Sequence, residues 1–329
     1  MGGGIIWSTP ASAHVKWFCD YNVFTRPRAL NLVWSSDFRH VLLLGIGILM
    51  VACITEGLTI GAFLLDGIDE LSAMVEGQFE TLFRACYGAF FICLWTLGDI
   101  ILTPELKTGI AFVPWLQLSI AIGMLWRPTM VWSAGGIVVL YALGVREYGL
   151  YHMLDYPIFL TAAAYIAMIG LNRTWFGLRP MDVLRWGAAI TLMWASVEKW
   201  AYPQWTYPLF IIHPHMGLGF SPPFYMCAAG FVEFSLAFAM LWTPLVRRSA
   251  AVILMAMFLG AIGPFGKIDA IGHAPIIIVL LAVAIDHHGR GARRPVAVAP
   301  VVYCAALAAT IACYYGLHVL LFGAAATPA

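Results

Sequence analysis

The sequence has 329 residues, of which 62% are hydrophobic and only 11% are charged, and its formal net charge is +1. Because an ordinary soluble domain carries about 25% charged residues, this composition argues against a soluble globular protein. The small net charge also gives no indication of a nucleic-acid partner. Thirteen Trp and thirteen Tyr residues are typical of the aromatic belts at membrane interfaces.

Residues 1–38 do not resemble a secretory signal peptide, because they are mixed in composition and lack a basic start followed by an apolar run. The seven cysteines of the chain include no C-x-x-C pair. Neither a disulfide framework nor a dithiol redox motif is therefore indicated.

Most of the remaining chain consists of apolar runs long enough to cross a bilayer core, which takes about 20 helical residues. We therefore predict an all-α fold, a polytopic transmembrane helical bundle of about ten spans. The predicted spans are 40–65, 82–102, 108–126, 129–146, 155–171, 182–201, 222–243, 248–263, 270–285 and 298–322. Glu56 interrupts the first span, and the shortness of 270–285 indicates a broken or re-entrant start.

The arginines indicate how the spans are oriented, because cytoplasmic loops are enriched in Lys and Arg. They fall at every second membrane exit, which predicts that these exits are cytoplasmic: Arg84, Arg127, Arg173, Arg179, Arg185, Arg247, Arg248, Arg290, Arg293 and Arg294. The first span fits this rule poorly, because arginines precede it and acidic residues follow it. Either the N-terminus lies outside, or residues 65–80 form an amphipathic segment that lets the chain return.

Two segments of the chain repeat each other. Aligned without gaps from Gln117 and from Glu233, they share Met124-Leu125-Trp126 with Met240-Leu241-Trp242, together with a following proline. The alignment predicts two parallel four-helix repeats plus an extra span at each end. The chain then divides into an N-terminal segment (1–39), a first span with an acidic connection (40–81), two four-helix repeats (82–171 and 172–289) and a C-terminal span with its tail (290–329).

Ionisable residues within a membrane are costly, so each is a functional candidate. The catalytic candidates are Glu198, Lys199, Glu233 and Asp269. Glu198 and Lys199 could instead form an interfacial ion pair in which Lys199 extends toward the head groups. A carboxylate in mid-span, as at Glu233, must be paired, protonated or exposed to a polar cavity.

The segment His213-Pro214-His215 places two imidazoles on either side of a proline with fixed φ. Such a pair can bind copper or zinc, with Glu198, Asp269 or His273 completing the metal site. The alternative is that both histidines are interfacial side chains. Four further residues are candidates for contacting a cofactor such as a quinone: Trp194, Trp200, Trp205 and Lys267. In the first repeat, Glu147, His152 and Asp155 could form a second, weaker site.

The repeat unit resembles the DoxX-like family of membrane proteins. The similarity rests on Arg185 at the start of the first span of the second repeat, on the sequence Ser196-Val197-Glu198-Lys199-Trp200, and on the stretch 265–275. The first repeat departs from it with Asp99-Ile100 at the place of the acid-Lys pair. The resemblance implies a redox or quinone-linked membrane role, either as the membrane subunit of a thiosulfate:quinone oxidoreductase or as a partner in thiol stress or redox-protein maturation. The lack of paired cysteines argues against the dithiol branch.

These features predict a redox-associated protein of the bacterial inner membrane, with a quinone or metal site at the outer (periplasmic) face of the second repeat. It would act in a respiratory or sulfur- or metal-linked electron-transfer complex, as a quinone-linked oxidoreductase subunit. Its partners would be the lipid bilayer and other membrane or periplasmic subunits. Two alternatives are a metal-ion or small-solute transporter and a structural subunit of a larger enzyme.

Overall fold

The computed structural model describes residues 21–289 and 294–323, and within these ranges it is built from α-helices with short 3-10 turns and no β-sheet. The α-helices are α1 (Leu30–Val33), α2 (Ser36–Gly57), α3 (Thr59–Glu76), α4 (Phe79–Leu97), α5 (Val113–Gly123), α6 (Met130–Tyr148), α7 (Leu150–Met153), α8 (Pro157–Leu171), α9 (Pro180–Ala201), α10 (Tyr207–Ile212), α11 (Pro222–Ala239), α12 (Pro244–Ile285) and α13 (Val298–Phe322). The prediction of an all-α fold is confirmed for this part of the chain.

Among the described residues, five helical segments are long and apolar enough to cross a membrane. They are α2, Arg127–Tyr148 (which contains α6), α11, α12 and α13. Together with the composition, these helices make the chain an integral membrane protein in contact with lipid.

Proline marks the start of several helices and explains why they begin where they do. It occupies the first position of α8, α9, α11 and α12. There its missing N–H costs nothing and its φ is already helical. Helix α2 begins instead with a capping serine, whose Oγ accepts a hydrogen bond of 3.2 Å from the N–H of Phe38.

Helix α4 ends earlier than the predicted span 82–102, because Gly98 and Asp99 both adopt positive φ. The following segment, 98–112, is not helical, although Ile100 and Ile101 are at most 1% exposed. Irregular backbone at such depth needs partners within the protein. The side-chain amide of Gln117 supplies them, since Nε2 donates to the carbonyls of Ile100 and Ile101 at 2.6 and 3.1 Å.

Helix α12 is a helical hairpin with its turn at Gly266, where φ is 78°. Arg248 Nε donates to the carbonyl of Ala284 at 2.7 Å. A straight helix would separate these residues by about 54 Å, because each residue rises about 1.5 Å. The two limbs therefore lie antiparallel, in agreement with the predicted pair 248–263 and 270–285 and with the irregular connection between them.

Six arginines gather at one end of the bundle, here called the arginine end: Arg84, Arg127, Arg179, Arg185, Arg247 and Arg248. Glu80 joins the first two, since it bonds Arg127 and lies 3.6 Å from Arg84. Asp286 lies 3.1, 3.8 and 3.9 Å from the next three. These six of the ten arginines share one end of the bundle, as the alternating pattern predicts, while Arg290 and Arg293 lie outside the described residues.

Residues 40–65 form two helices rather than one span, and they meet at Leu58, whose backbone is extended. Helix α2 begins beside Trp200, whose ring centroid lies 5.2 Å from that of Phe38. It ends at the arginine end, where Glu56 accepts a 2.9 Å hydrogen bond from the N–H of Leu245. The interrupting Glu56 is therefore a cap for α12.

Helix α3 stays at the arginine end, because Asp69 and Ser72 both bind Arg248. Glu76, the last residue of α3, lies 2.7 Å from His287. The chain therefore reaches the arginine end through α2, follows that end through α3, and leaves it through α4. Of the two alternatives that the sequence left open, the course of the chain agrees with the first, since residues 21–35 lie at the end opposite the arginine end. The acidic segment in α3 stays at the arginine end and does not return the chain across the bundle.

The Asp286 cluster predicts a pH-dependent stability. Burial by itself would raise the pKa of the Asp286 carboxyl, but the hydrogen bond from Arg179 and the charges of Arg247 and Arg179 outweigh burial and hold this pKa below its ordinary value. A lowered carboxyl pKa contributes stability above the unfolded value of about 3.9, and this contribution is lost as the pH falls through the lower folded pKa. We expect Asp286→Asn to lose about 2 kcal/mol of unfolding free energy at pH 7.

The difference between wild type and Asp286→Asn should shrink as the pH falls below about 4. Denaturant titration of the detergent-solubilised proteins at several pH values measures it. Glu70→Gln, a change at an exposed acid of α3, is the control and should alter neither the unfolding free energy at pH 7 nor its dependence on pH. A difference that stays constant with pH would contradict this role of Asp286.

Candidate functional site: a polar cavity

A cavity of about 80 Å³ lies at the end of the bundle opposite the arginine end, between α8, α9, α11 and the second limb of α12. Its ionisable lining residues are Asp155, Glu198, Lys199, Glu233 and His273. The volume has room for about five water molecules, at some 15 Å³ each. We call this space the polar cavity.

Lys199 and Glu233 form an ion pair across the polar cavity. Lys199 Nζ binds Glu233 Oε2 and lies 3.5 Å from the carbonyl of Ala195. The two side chains are 26% and 13% exposed. The mid-helix carboxylate is therefore paired, which was one of the three states predicted for it. Glu198 lines the same cavity, and its pairing with the neighbouring Lys199 stays a prediction.

Asp269 and His273 form a second pair, one turn apart on the second limb of α12. His273 Nδ1 lies 3.0 Å from Asp269 Oδ2, and both residues are almost fully buried. The His273 ring packs 4.7 Å from that of Phe258 on the first limb and also lines the polar cavity. Lys267, the third predicted residue of this stretch, is exposed and does not line the cavity.

One of the three predicted tryptophans reaches the polar cavity. Trp205 lines it, with its ring stacked on that of Tyr202 at 4.1 Å. Trp194 instead packs against Tyr314, and Trp200 donates its indole N–H to the carbonyl of Cys227 at 3.1 Å.

Helical periodicity explains this difference. The cavity-lining positions of α9 are 191, 192, 195, 198 and 199, which share one face at a spacing of three and four residues. Trp194 and Trp200 do not line the polar cavity, so contact between these two tryptophans and a cofactor stays a prediction.

The predicted metal site is not assembled within residues 21–289 and 294–323. No group of three His, Cys, Asp or Glu side chains in these ranges is placed to hold a metal ion. The His213 ring packs edge-on against Phe265, with 6.3 Å between ring centroids. The side chain of His215 lies outside the described part of the structure, so copper or zinc binding at His213-Pro214-His215 stays a prediction.

A second polar group, which the sequence analysis missed, borders the polar cavity. Glu105, from the non-helical segment 98–112, lies 3.1 Å from His152 Nε2 and accepts hydrogen bonds from the hydroxyls of Tyr21 and Tyr156. Tyr156 also lines the polar cavity. The pattern of His152 and Asp155 located part of this group, but Glu105 stood in a segment that was interpreted as a short outer loop.

Carboxylates outnumber cations in this region. Asp155, Glu198 and Glu233 line the polar cavity, while Asp269 and Glu105 adjoin it. Lys199 is the lysine among them, and the two histidines carry charge only when protonated. Because unbalanced charge is costly at low dielectric, such a group holds protons or attracts small cations.

The chain matches no protein-family model, no curated protein and no solved structure. The inferences about function below therefore depend on the polar cavity and on the residues around it.

Proposed function

We propose that the protein is a redox-associated membrane protein whose polar cavity binds the headgroup of a quinone-class molecule and exchanges protons with it. The observation that carries this proposal is the convergence of Lys199–Glu233 and His273–Asp269 on one cavity. A quinone carbonyl accepts hydrogen bonds and takes up protons on reduction. The ammonium and the imidazole are donors for such oxygens, and the carboxylates are proton acceptors.

Aromatic walls suit the ring of such a ligand. The stacked pair Tyr202 and Trp205 lies on one side, and Phe159 and Phe258 also line the polar cavity. Flat aromatic side chains favour offset or edge-on packing with another ring. In this proposal the carboxylates supply two protons when the quinone is reduced and accept two when the quinol is oxidised, while a partner subunit supplies or accepts the two electrons.

We further propose ten spans, formed by α2, α4, α5, α6, α8, α9, α11, the two limbs of α12, and α13. The excess of arginine would place the arginine end in the cytoplasm and the polar cavity at the periplasmic face of a bacterial inner membrane. Helix α5 has only 11 residues, and the non-helical segment 98–112 would complete its passage.

Two parallel repeats are supported by equivalent contacts at aligned positions. Gln117 binds the carbonyl of Ile100, and Glu233 binds Lys199, at positions that align in the two repeats. Asp155 and His273, which also align, both line the polar cavity. This arrangement is compatible with a DoxX-like unit that is duplicated, with the second copy carrying most of the site.

Binding of a short-chain benzoquinone to the protein in lipid nanodiscs tests the proposal. We expect saturable binding to wild type, and at least about tenfold weaker binding to His273→Ala and Glu233→Gln, since tenfold corresponds to about 1.4 kcal/mol. Glu147→Gln, at an exposed carboxylate of the same end, is the matched control and should bind as wild type does. Absence of binding to wild type, or equal binding by all variants, would overturn the proposal. Elemental analysis of the same samples measures copper and zinc.

A cation carrier is the second candidate, and the excess of carboxylates around the polar cavity favours it. It would show itself as cation flux into proteoliposomes without quinone binding. Flux should then fall in Glu233→Gln and not in Glu147→Gln.

A further inference from the structure

A second chamber of about 130 Å³ lies next to the polar cavity, on the far side of Lys199. Its lining includes Arg28, Asp37, Lys199, Trp200, Pro203 and Cys227, and we call it the vestibule. Lys199 lines both the vestibule and the polar cavity. One side chain therefore stands between the two spaces.

The vestibule continues outward into an open groove of about 400 Å³. Arg28, Pro203 and Pro223 line both the vestibule and this groove. The groove, the vestibule and the polar cavity thus follow one another from the surface of the bundle inward. Lys199 lies at the last junction.

The entrance lies beneath residues 21–35, which cross the end of α9. The N–H of Arg28 donates to the carbonyl of Ala201 at 2.8 Å, and the hydroxyl of Tyr202 donates to the carbonyl of Thr25 at 2.8 Å. These bonds hold Arg28 at the mouth of the vestibule. In the proposed topology this end of the bundle faces the periplasm, which would connect the groove with the aqueous phase.

Lys199 has the properties of a movable partition. Its ammonium sits on a flexible four-carbon stem, and it is held by Glu233 on the cavity side. Asp37 lines the vestibule, on the other side of the same lysine. The ammonium therefore has a carboxylate to face in either chamber.

We propose that the vestibule is the aqueous entrance of the polar cavity, and that Lys199, held by Glu233, is the gate between them. The species that pass are small and water-soluble: water, hydronium or a small cation. This class follows from the acidic lining beyond the gate and from the volume of the cavity. The inference deepens the proposed function, since it gives the exchanged protons a route to water.

Thiol labelling measures access to each chamber separately. Cys227 lies in the vestibule, and Ala195→Cys would place a thiol in the polar cavity, one turn of α9 beyond Lys199. Each thiol is studied with the other cysteines replaced by serine, in nanodiscs, using a small cationic methanethiosulfonate reagent. With Lys199 and Glu233 both unchanged, we expect the thiol of Cys227 to react faster than the thiol introduced by Ala195→Cys.

Removal of the Lys199–Glu233 pair should change the labelling rate in the polar cavity and leave the labelling rate in the vestibule unchanged. We expect Glu233→Gln and Lys199→Met to speed the labelling of Ala195→Cys by about tenfold, the equivalent of losing about 1.4 kcal/mol of closure. The rate at Cys227 should stay as it was. Lys107→Met, at an exposed lysine of the same end, is the control and should change neither rate. An unchanged rate at Ala195→Cys in both gate variants would overturn the proposal.

A second measurement needs no gate variant. When Cys227 carries a bulky maleimide, labelling of Ala195→Cys in the same protein should slow by about tenfold. An unchanged rate would mean that the cavity is reached by another path, and the vestibule would not be the entrance. Neither labelling measurement involves a quinone. The gate can therefore be confirmed or contradicted independently of whether the protein binds a quinone.

Discussion

Replacement of Arg248 by Met is expected to lower the unfolding free energy by about 3–5 kcal/mol, the usual cost of removing one partner of a buried ion pair. Arg248 is 1% exposed although its side chain carries a full charge. Its guanidinium binds Asp69, donates to Ser72 Oγ at 2.7 Å and donates to the carbonyl of Ala284 at 2.7 Å.

The effect should be large because this one side chain joins three segments. It belongs to the first limb of α12, and its partners lie on α3 and on the last turn of the second limb. Carbonyls in the last turn of a helix have no partner within that helix, so Ala284 depends on this bond. Loss of Arg248 would also leave Asp69 as a charge without its guanidinium.

Arg248→Lys should recover little of the lost stability, because an ammonium cannot reproduce the planar fork of donors. Urea titration of the solubilised proteins measures the unfolding free energy of wild type, Arg248→Met and Arg248→Lys. Arg173→Met, at an exposed arginine, is the control. A loss below about 1 kcal/mol for Arg248→Met would mean that water or lipid replaces these contacts, and the hairpin would owe its closure to packing alone.

The helices could be predicted from the sequence because their signals are local. Apolar runs, first-turn prolines and the Gly-rich stretch around Gly266 each act within a few residues. The end of α4 could not be predicted in this way. Residues 100–102 continue an apolar run, and their irregular backbone is stabilised by the amide of Gln117, from the next helix, and by the carbonyl of Leu106.

The sequence predicts which ionisable residues reach the polar cavity, but it does not predict which of them pair with each other. Glu198, Lys199, Glu233 and His273 all reach the polar cavity, since ionisable residues in apolar helices must find a polar space. The partner of Lys199 lies 34 residues away, on another helix. Such a pairing depends on how α9 packs against α11, which no local pattern records.

The tryptophans and Glu105 differ from the prediction for two separate physical reasons. Tryptophans close to Lys199 in sequence point to other neighbours, because the face that a residue presents is set by the helical period. Glu105 joins the site only because segment 98–112 folds inward, and an inward-folding loop has no distinctive composition.

The Lys199–Glu233 pair should behave as a coupled unit in a double-mutant cycle. We expect Lys199→Met alone to cost about 3 kcal/mol of unfolding free energy, the low end of the range for a broken buried pair, because Lys199 is 26% exposed. The loss arises mostly from the Glu233 carboxylate, which would remain in the protein without its cation.

The double variant Lys199→Met with Glu233→Gln should be more stable than Lys199→Met alone, and come within about 1–2 kcal/mol of wild type, since neither charge then remains buried. Urea titration measures the four proteins of the cycle. If the loss of unfolding free energy in the double variant equals the sum of the losses in the two single variants, the two side chains do not stabilise each other, and the ion pair cannot be the closure of the gate.

The same double variant separates folding from function. It should be folded, yet it lacks both the gate and a proton-exchanging carboxylate. We therefore expect near-wild-type stability together with fast labelling at Ala195→Cys and weak benzoquinone binding. If the double variant regains stability and also binds the benzoquinone as wild type does, the Lys199–Glu233 pair stabilises the fold and takes no part in quinone binding. The polar cavity would then have to act through Glu198, Asp155 and His273.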